Sequence, residues 1–240
     1  SPGLARPSDS SMIGGPEVAS QVRIAHLDTG YDPDHRTLPK HLRRDLARNF
    51  VDDGHPNDAS DETSGLFTNL GHGTGTLSIL AGTAQPGQSL LGGAPFAEVV
   101  PVRVANRVVL FSNSSIAQAF DYIHGLNASG PNRVDIITMS MGGLASQAWA
   151  EAVNALYEQG VFIVTAAGNN YGNLPTHNIV YPARFGRVVA ACGIMEDSKP
   201  YADLGIRLMA GNYGPVGKMD TAIAAATPNV PWARFGCSDI

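Results

Sequence analysis

Five short apolar runs, at residues 22–27, 99–104, 134–139, 161–165 and 188–193, are rich in β-branched side chains and show little of the polar alternation of a strand with one wet face. Such runs belong to strands covered on both faces, and therefore to a parallel sheet held between layers of helix. The segments between them supply the helices. Ser114 and Ser115 can cap a helix with Ile116, Phe120 and Ile123 on one face, while Trp149, Ala152, Val153, Leu156 and Tyr157 form the stripe of a second that Gly160 ends. A third helix is expected from His72 to Ala81, with Gly73 and Gly75 inside it where another part of the chain approaches the backbone. This alternation gives an α/β fold, a three-layer domain with a mostly parallel central sheet and helices on both faces. A chain of 240 residues, 43% of them hydrophobic, can bury one such core. A single domain is expected over residues 21–240, behind a surface arm of Ser, Pro and Gly at residues 1–20.

The net charge of -5 is spread without a basic stripe, and no apolar run is long enough to cross a bilayer, so neither nucleic acid nor a membrane is an expected partner. Cys192 and Cys237 are too few and too far apart for a disulfide framework or a zinc knuckle and read as two buried thiols. The chain starts at Ser1 without a charged-then-apolar leader, as expected of a processed or trimmed product. Residues 52–62, after an expected short strand at 49–51, are acidic and turn-rich but lack the spacing of a known calcium loop. They are expected as a solvated loop. No metal site and no cofactor is assigned; calcium is the ion weighed for these oxygens.

Three polar side chains stand where an open α/β sheet binds ligands, at strand ends and helix starts. Asp28 closes the first apolar run as Asp-Thr-Gly, His72 lies in Gly71-His-Gly-Thr-Gly75, and Asn169 follows the fourth run as Ala166-Ala-Gly-Asn169. A carboxylate beside an imidazole holds it in one tautomer and stabilises the imidazolium formed when it takes a nucleophile's proton. Each motif has a plainer reading alone. Asp-Thr-Gly also marks aspartic proteases, but that chemistry needs two carboxylates sharing a proton, and the triplet occurs once. A lone Asp28 is as readily a turn residue, and a lone His72 is more often structural than a base. The glycines around His72 imitate a dinucleotide loop, yet no strand-like run leads into them.

Taken together and in this order, the three blocks resemble the subtilisin family of serine peptidases, over residues 22–211. Leu91-Gly-Gly-Ala-Pro95, Ser140-Met-Gly-Gly143 and Tyr181-Pro-Ala183 add to the resemblance. It implies a serine endopeptidase acting on peptides or proteins, with Asp28 as orienting acid, His72 as base and Asn169 as donor to the oxyanion. It also implies a substrate pocket walled by Ser140, Met141, Gly142 and Gly143 on one side and by Ala166, Ala167 and Gly168 on the other, with residues 110–113 as the opposing edge. Tyr181–Pro182 is expected to be cis beside that groove. The loop at residues 83–91, where many subtilisins hold calcium, lacks their asparagines and acids, so that site is not carried over. His26, inside the first strand, is expected to be a satisfied core histidine without a catalytic role. Secretion, or another extracytoplasmic location, follows from family habit alone.

The family's Gly-Thr-Ser-x-Ala-x-Pro block does not occur. The preferred expectation is a chain whose C-terminal part is missing, with the serine beyond Ile240 and a C-terminal segment or second chain completing the fold. The alternative takes Asp220-Thr-Ala-Ile-Ala-Ala-Ala-Thr-Pro228 as a degenerate nucleophile block with Ala222 in the serine's place, which makes the chain an inactive peptide-binding module. An extra residue before Pro228, and Pro231 where a helix must follow, speak against it. Asp28, His72 and Asn169 together favour the enzyme, because a pure binder has no physical need for all three.

Overall fold

Each of the five apolar runs forms a strand. In chain order the elements are β1 (Arg23–Asp28), β2 (Arg48–Asn49), α1 (His72–Ala81), β3 (Glu98–Arg103), β4 (Val109–Leu110), α2 (Ser114–Ser129), β5 (Ile136–Met139) and β6 (Gly142–Gly143). They continue with α3 (Gln147–Glu158), β7 (Phe162–Ala166), β8 (Asn169–Tyr171), β9 (Val189–Ile194), β10 (Ala202–Asp203), β11 (Met209–Gly211), α4 (Val216–Met219) and β12 (Ala222–Ala226). This computed structural model describes residues 22–64, 68–83, 92–110, 114–171, 177–203, 209–228, 230, 232–233 and 236. The expected arm at 1–20, most of the loop at 83–91, residues 111–113, Pro231 and Cys237 lie outside the described residues.

Seven strands pair in the order β12-β9-β7-β5-β1-β3-β2, and every pairing is parallel. The alternation along β1 explains the layers. Ala25 and Leu27 face one side and join Ile116, Phe120 and Ile123 of α2 and Trp149, Val153 and Leu156 of α3 in the main core. His26 faces the other side and meets Thr76 of α1, beside a second cluster of Tyr31, Leu77, Ala81 and Val99. Helices therefore cover both faces. Phe120 and Trp149 have no exposed surface, and burial of such side chains is worth about 1.5–3 kcal/mol each.

The ends of α3 follow local rules. Ser146, in extended backbone, accepts the Trp149 amide at 3.2 Å as an N-cap, and Gly160 turns the chain away from the helix with φ +78°.

Three expectations change, and one disfavoured alternative loses further ground. The short strand sits at Arg48–Asn49 rather than 49–51. The acidic loop is not wholly solvated, since Ala59 and Asp61 are 1% and 2% exposed. Cys192 is only partly buried, and burial pushes its thiol up from the ordinary value. Residues 222–226 form an edge strand in register with β9, from Ala222 opposite Ala190 to Ala226 opposite Ile194, so Ala222, in the serine's place in the degenerate block, starts a strand and not a helix. Pairing with β9 overrides the helical preference of alanine there.

The winding reverses at β1. The chain first builds β3 and β2 on one side of it, then places β5, β7, β9 and β12 on the other. In open α/β sheets a crevice forms at such a reversal, beyond the carboxyl ends of the strands.

Candidate active site

The N-terminus of α1 reaches this crevice through contacts that replace an ordinary cap. Gly71 precedes the helix with φ +79°, a left-handed conformation that glycine adopts without strain, and no side chain caps the helix in the usual way. Instead the buried Asp61 carboxylate accepts the Gly71 amide at 2.8 Å and the Thr29 hydroxyl at 3.0 Å. The Thr29 oxygen in turn accepts the Gly73 amide at 3.2 Å. In the same turn Thr74 Oγ1 accepts the Asp32 amide at 2.9 Å. The helix start is thereby joined to the loop that leaves β1.

Those joints bring His72 to Asp28. His72 Nδ1 donates to Asp28 Oδ1 at 2.7 Å, and the Thr29 amide donates to the same oxygen at 2.8 Å. Asp28 has no exposed surface. Burial works to raise its carboxyl, but the hydrogen bond from His72, the charges of His72 and His26 and the Thr29 amide outweigh it and hold Asp28 below the usual carboxylate range. With Nδ1 engaged, Nε2 is the ring nitrogen left to accept a proton. The Trp232 ring lies 5.6 Å from the imidazole at 60° and packs on Gly75, where a Cβ would come within 2.2 Å of its ring.

His72 lines a groove of about 510 Å³ together with Val108, Leu110, Ser140, Gly143, Ala166 and Asn169. Met141, Gly142 and Gly168 line it too. One wall is built where β4 pairs in parallel with β6, Val109 opposite Gly142 and Leu110 opposite Gly143, so Leu110 belongs to the same wall as Gly143 and is not the opposing edge expected from the sequence. Gly143 also exchanges backbone hydrogen bonds with Tyr181 at 2.9 and 3.2 Å, and Tyr181–Pro182 is cis. Gly142 cannot carry a side chain here, because a Cβ would lie 2.3 Å from Val180 Cγ2. The far wall turns at Gly168, with φ +83°, and presents Asn169 at the surface. The Asn169 amide donates to Met209 Sδ at 3.9 Å, a weak contact that leaves it able to take a better acceptor.

Of the ten residues singled out in the sequence, eight line this groove and a ninth, Asp28, is hydrogen-bonded to His72 in its lining. Ala167 does neither. Its side chain is 2% exposed and packs with Ile179, Ala183 and Ala190, because the alternation at the end of β7 turns it into the core. Sequence reasoning missed Asp61, Thr29 and Thr76, polar residues whose partners lie tens of residues away. The clue available was a buried helix start with no Ser, Thr, Asp or Asn at its N-cap, which must find its acceptors elsewhere. Among the described residues, the metal-capable group is Asp52, His55 and Glu62, whose ligand atoms lie within 4.8 Å of one another. Asp52 and His55 already pair at 3.1 Å on exposed surface. No helix among the described residues is long and apolar enough to cross a membrane.

The sequence matches the Subtilase family over residues 19–229. The "Major intracellular serine protease" of Bacillus subtilis (strain 168) is 32% identical over 193 residues, which cover 77% of this chain and 56% of that protein. The "Minor extracellular protease Epr" of the same organism is 30% identical over 183 residues, 76% of this chain and 25% of that one. The chain thus spans about half the length of the first relative and a quarter of the second. Their names put them on opposite sides of the cell boundary, so the compartment does not follow from kinship. Among solved structures, Sphericase shares the fold with a TM-score of 0.65 at 24% identity, over 90% of this chain and 69% of that one.

Proposed function

The chain belongs to the subtilase family, and from that premise we propose that it carries the acid–base pair and the oxyanion donor of a serine endopeptidase. The observation that carries this reading is the 2.7 Å hydrogen bond between buried Asp28 and groove-lining His72. No Gly-Thr-Ser-x-Ala-x-Pro block occurs in residues 1–240, and we assign the nucleophilic hydroxyl to sequence outside them.

A peptide lies in the groove between the wall that β4 and β6 form together and residues 166–169. The serine oxygen attacks the scissile carbonyl carbon while its proton passes to His72 Nε2. Asp28, already below the usual carboxylate range, stays ionised and stabilises the imidazolium. Negative charge gathers on the former carbonyl oxygen, and the Asn169 amide donates to it. His72 then protonates the leaving amine, and a water molecule, deprotonated by the same imidazole, releases the acyl group. These steps involve side chains and water alone.

The test is peptide hydrolysis by protein expressed from the complete gene. His72→Ala should lower kcat by about 10⁴-fold or more, since members of such a triad act as a unit. Undiminished hydrolysis in that variant would reject His72 as the base.

A further inference from the structure

The groups described so far occupy only one oxygen of Asp28. The other, Oδ2, faces α1, where Thr76 Oγ1 lies 3.0 Å from it. Thr76 also lies 2.9 Å from His26 Nε2. His26 itself is 4% exposed on β1, between Pro101 of β3 and Thr138 of β5 in register.

We propose that Thr76 and His26 are positioning residues that hold the second oxygen of Asp28 and so fix the orientation of His72. This deepens the serine peptidase reading and rests on it for the roles of Asp28 and His72.

The single hydroxyl hydrogen of Thr76 has three acceptors in reach: Asp28 Oδ2 at 3.0 Å, Gly73 O at 3.2 Å and His72 O at 3.3 Å. A helical threonine ordinarily donates back to its own helix. Here the carboxylate is both the nearest acceptor and the charged one, and charge-assisted hydrogen bonds are the stronger kind. His26 reinforces the choice. Its Nε2 is also 3.8 Å from Asp28 Oδ2, where a lone pair would face a negative charge, so Nε2 carries the proton and donates to Thr76 Oγ1. The Thr76 oxygen is then an acceptor on the His26 side and a donor on the Asp28 side. Burial lowers the His26 pKa despite the opposing pull of Asp28, which keeps the ring a neutral donor rather than a second cation competing with His72.

The consequence is geometric. Oδ1 accepts from His72 and Thr29, and Oδ2 accepts from Thr76, so the carboxylate cannot rotate without giving up three donors. The plane of the carboxylate sets the plane of the imidazole. Loss of the Thr76 hydroxyl should therefore disturb turnover rather than substrate binding, because both residues lie behind Asp28, away from the groove lining.

Three variants and two readouts test this in protein expressed from the complete gene. Thr76→Val keeps the shape and removes the hydroxyl; it should lower kcat about tenfold with KM unchanged, the loss of one hydrogen bond to a charged group. Thr76→Ser should restore most of that rate, and His26→Phe should lower kcat in the same direction by less. The low-field ¹H NMR line of the His72 Nδ1 proton, which needs no turnover, should shift or broaden in Thr76→Val and return in Thr76→Ser. Thermal melting establishes that each variant is folded. Wild-type kcat and an unmoved Nδ1 proton in folded Thr76→Val would overturn the proposal, and so would a loss that serine does not rescue. Full kcat in His26→Phe would remove His26 from it. An unsubstituted protein that shows the Nδ1 line but cleaves no peptide would instead count against the peptidase reading, and the NMR comparison would still decide whether Thr76 holds Asp28.

Discussion

Asp28 is ionised without any exposed surface because donors surround it, and that arrangement links stability to pH. Its carboxyl is depressed in the folded state, so its contribution is fully present above the unfolded value of about 3.9 and is lost as pH falls through the lower folded value. The melting temperature of the wild-type protein should therefore exceed that of Asp28→Asn at pH 6, and the difference should shrink once the pH drops below about 4. A constant difference across that range would mean that Asp28 is not depressed. Asn169→Ala should cost about 100- to 1000-fold in kcat with little change in KM, a magnitude taken from the corresponding asparagine of a subtilisin rather than from this geometry. Equal losses of binding and turnover would place Asn169 on the ground-state substrate instead. Asp28, His72 and Asn169 were legible in the sequence because each stands among small residues at the end of an apolar run or the start of a helix. Thr76 and Asp61 were not. A threonine inside a helix and an acid inside an acidic loop look like many others until the fold sets them beside Asp28 and Gly71.

The first turn of α1 is where local sequence and long-range packing meet. Gly73 lies so close to the loop after β1 that a Cβ there would come within 1.9 Å of Gly30 O. Gly73→Ala must push the helix start away from β1, and overpacking of this kind costs about 1–3 kcal/mol. The urea midpoint should fall accordingly, and activity should fall further than stability because His72 is the adjacent residue. An unchanged midpoint would show that the two segments are not in contact. The close approach could be anticipated from two glycines inside an otherwise helical stretch, although Gly30 and Trp232 could not be named as the neighbours. The buried strands could be read because β-branched residues without alternation suit a sheet covered on both faces. β12 could not, since Ala-Ile-Ala-Ala-Ala has no strand preference of its own and its extended form depends on β9.

At the scale of the molecule, the site is assembled from segments around residues 28, 72, 140–143 and 166–169, all delivered to the carboxyl edge of one parallel sheet. The reversal of winding at β1 makes that edge a crevice, and α1 then sets His72 beside Asp28 at its floor. Ile223 on the outermost strand is 56% exposed, in keeping with an edge of the sheet that no described residue covers. If Asp28 and His72 serve a serine, a serine-directed phosphonate must label it. Protein expressed from the complete gene should be labelled at a single serine, located by peptide mass spectrometry within a Gly-Thr-Ser-x-Ala-x-Pro block outside residues 1–240, and His72→Ala should abolish the labelling. Label on a serine within residues 1–240, equal labelling in His72→Ala, or no label on the folded protein would contradict the claim.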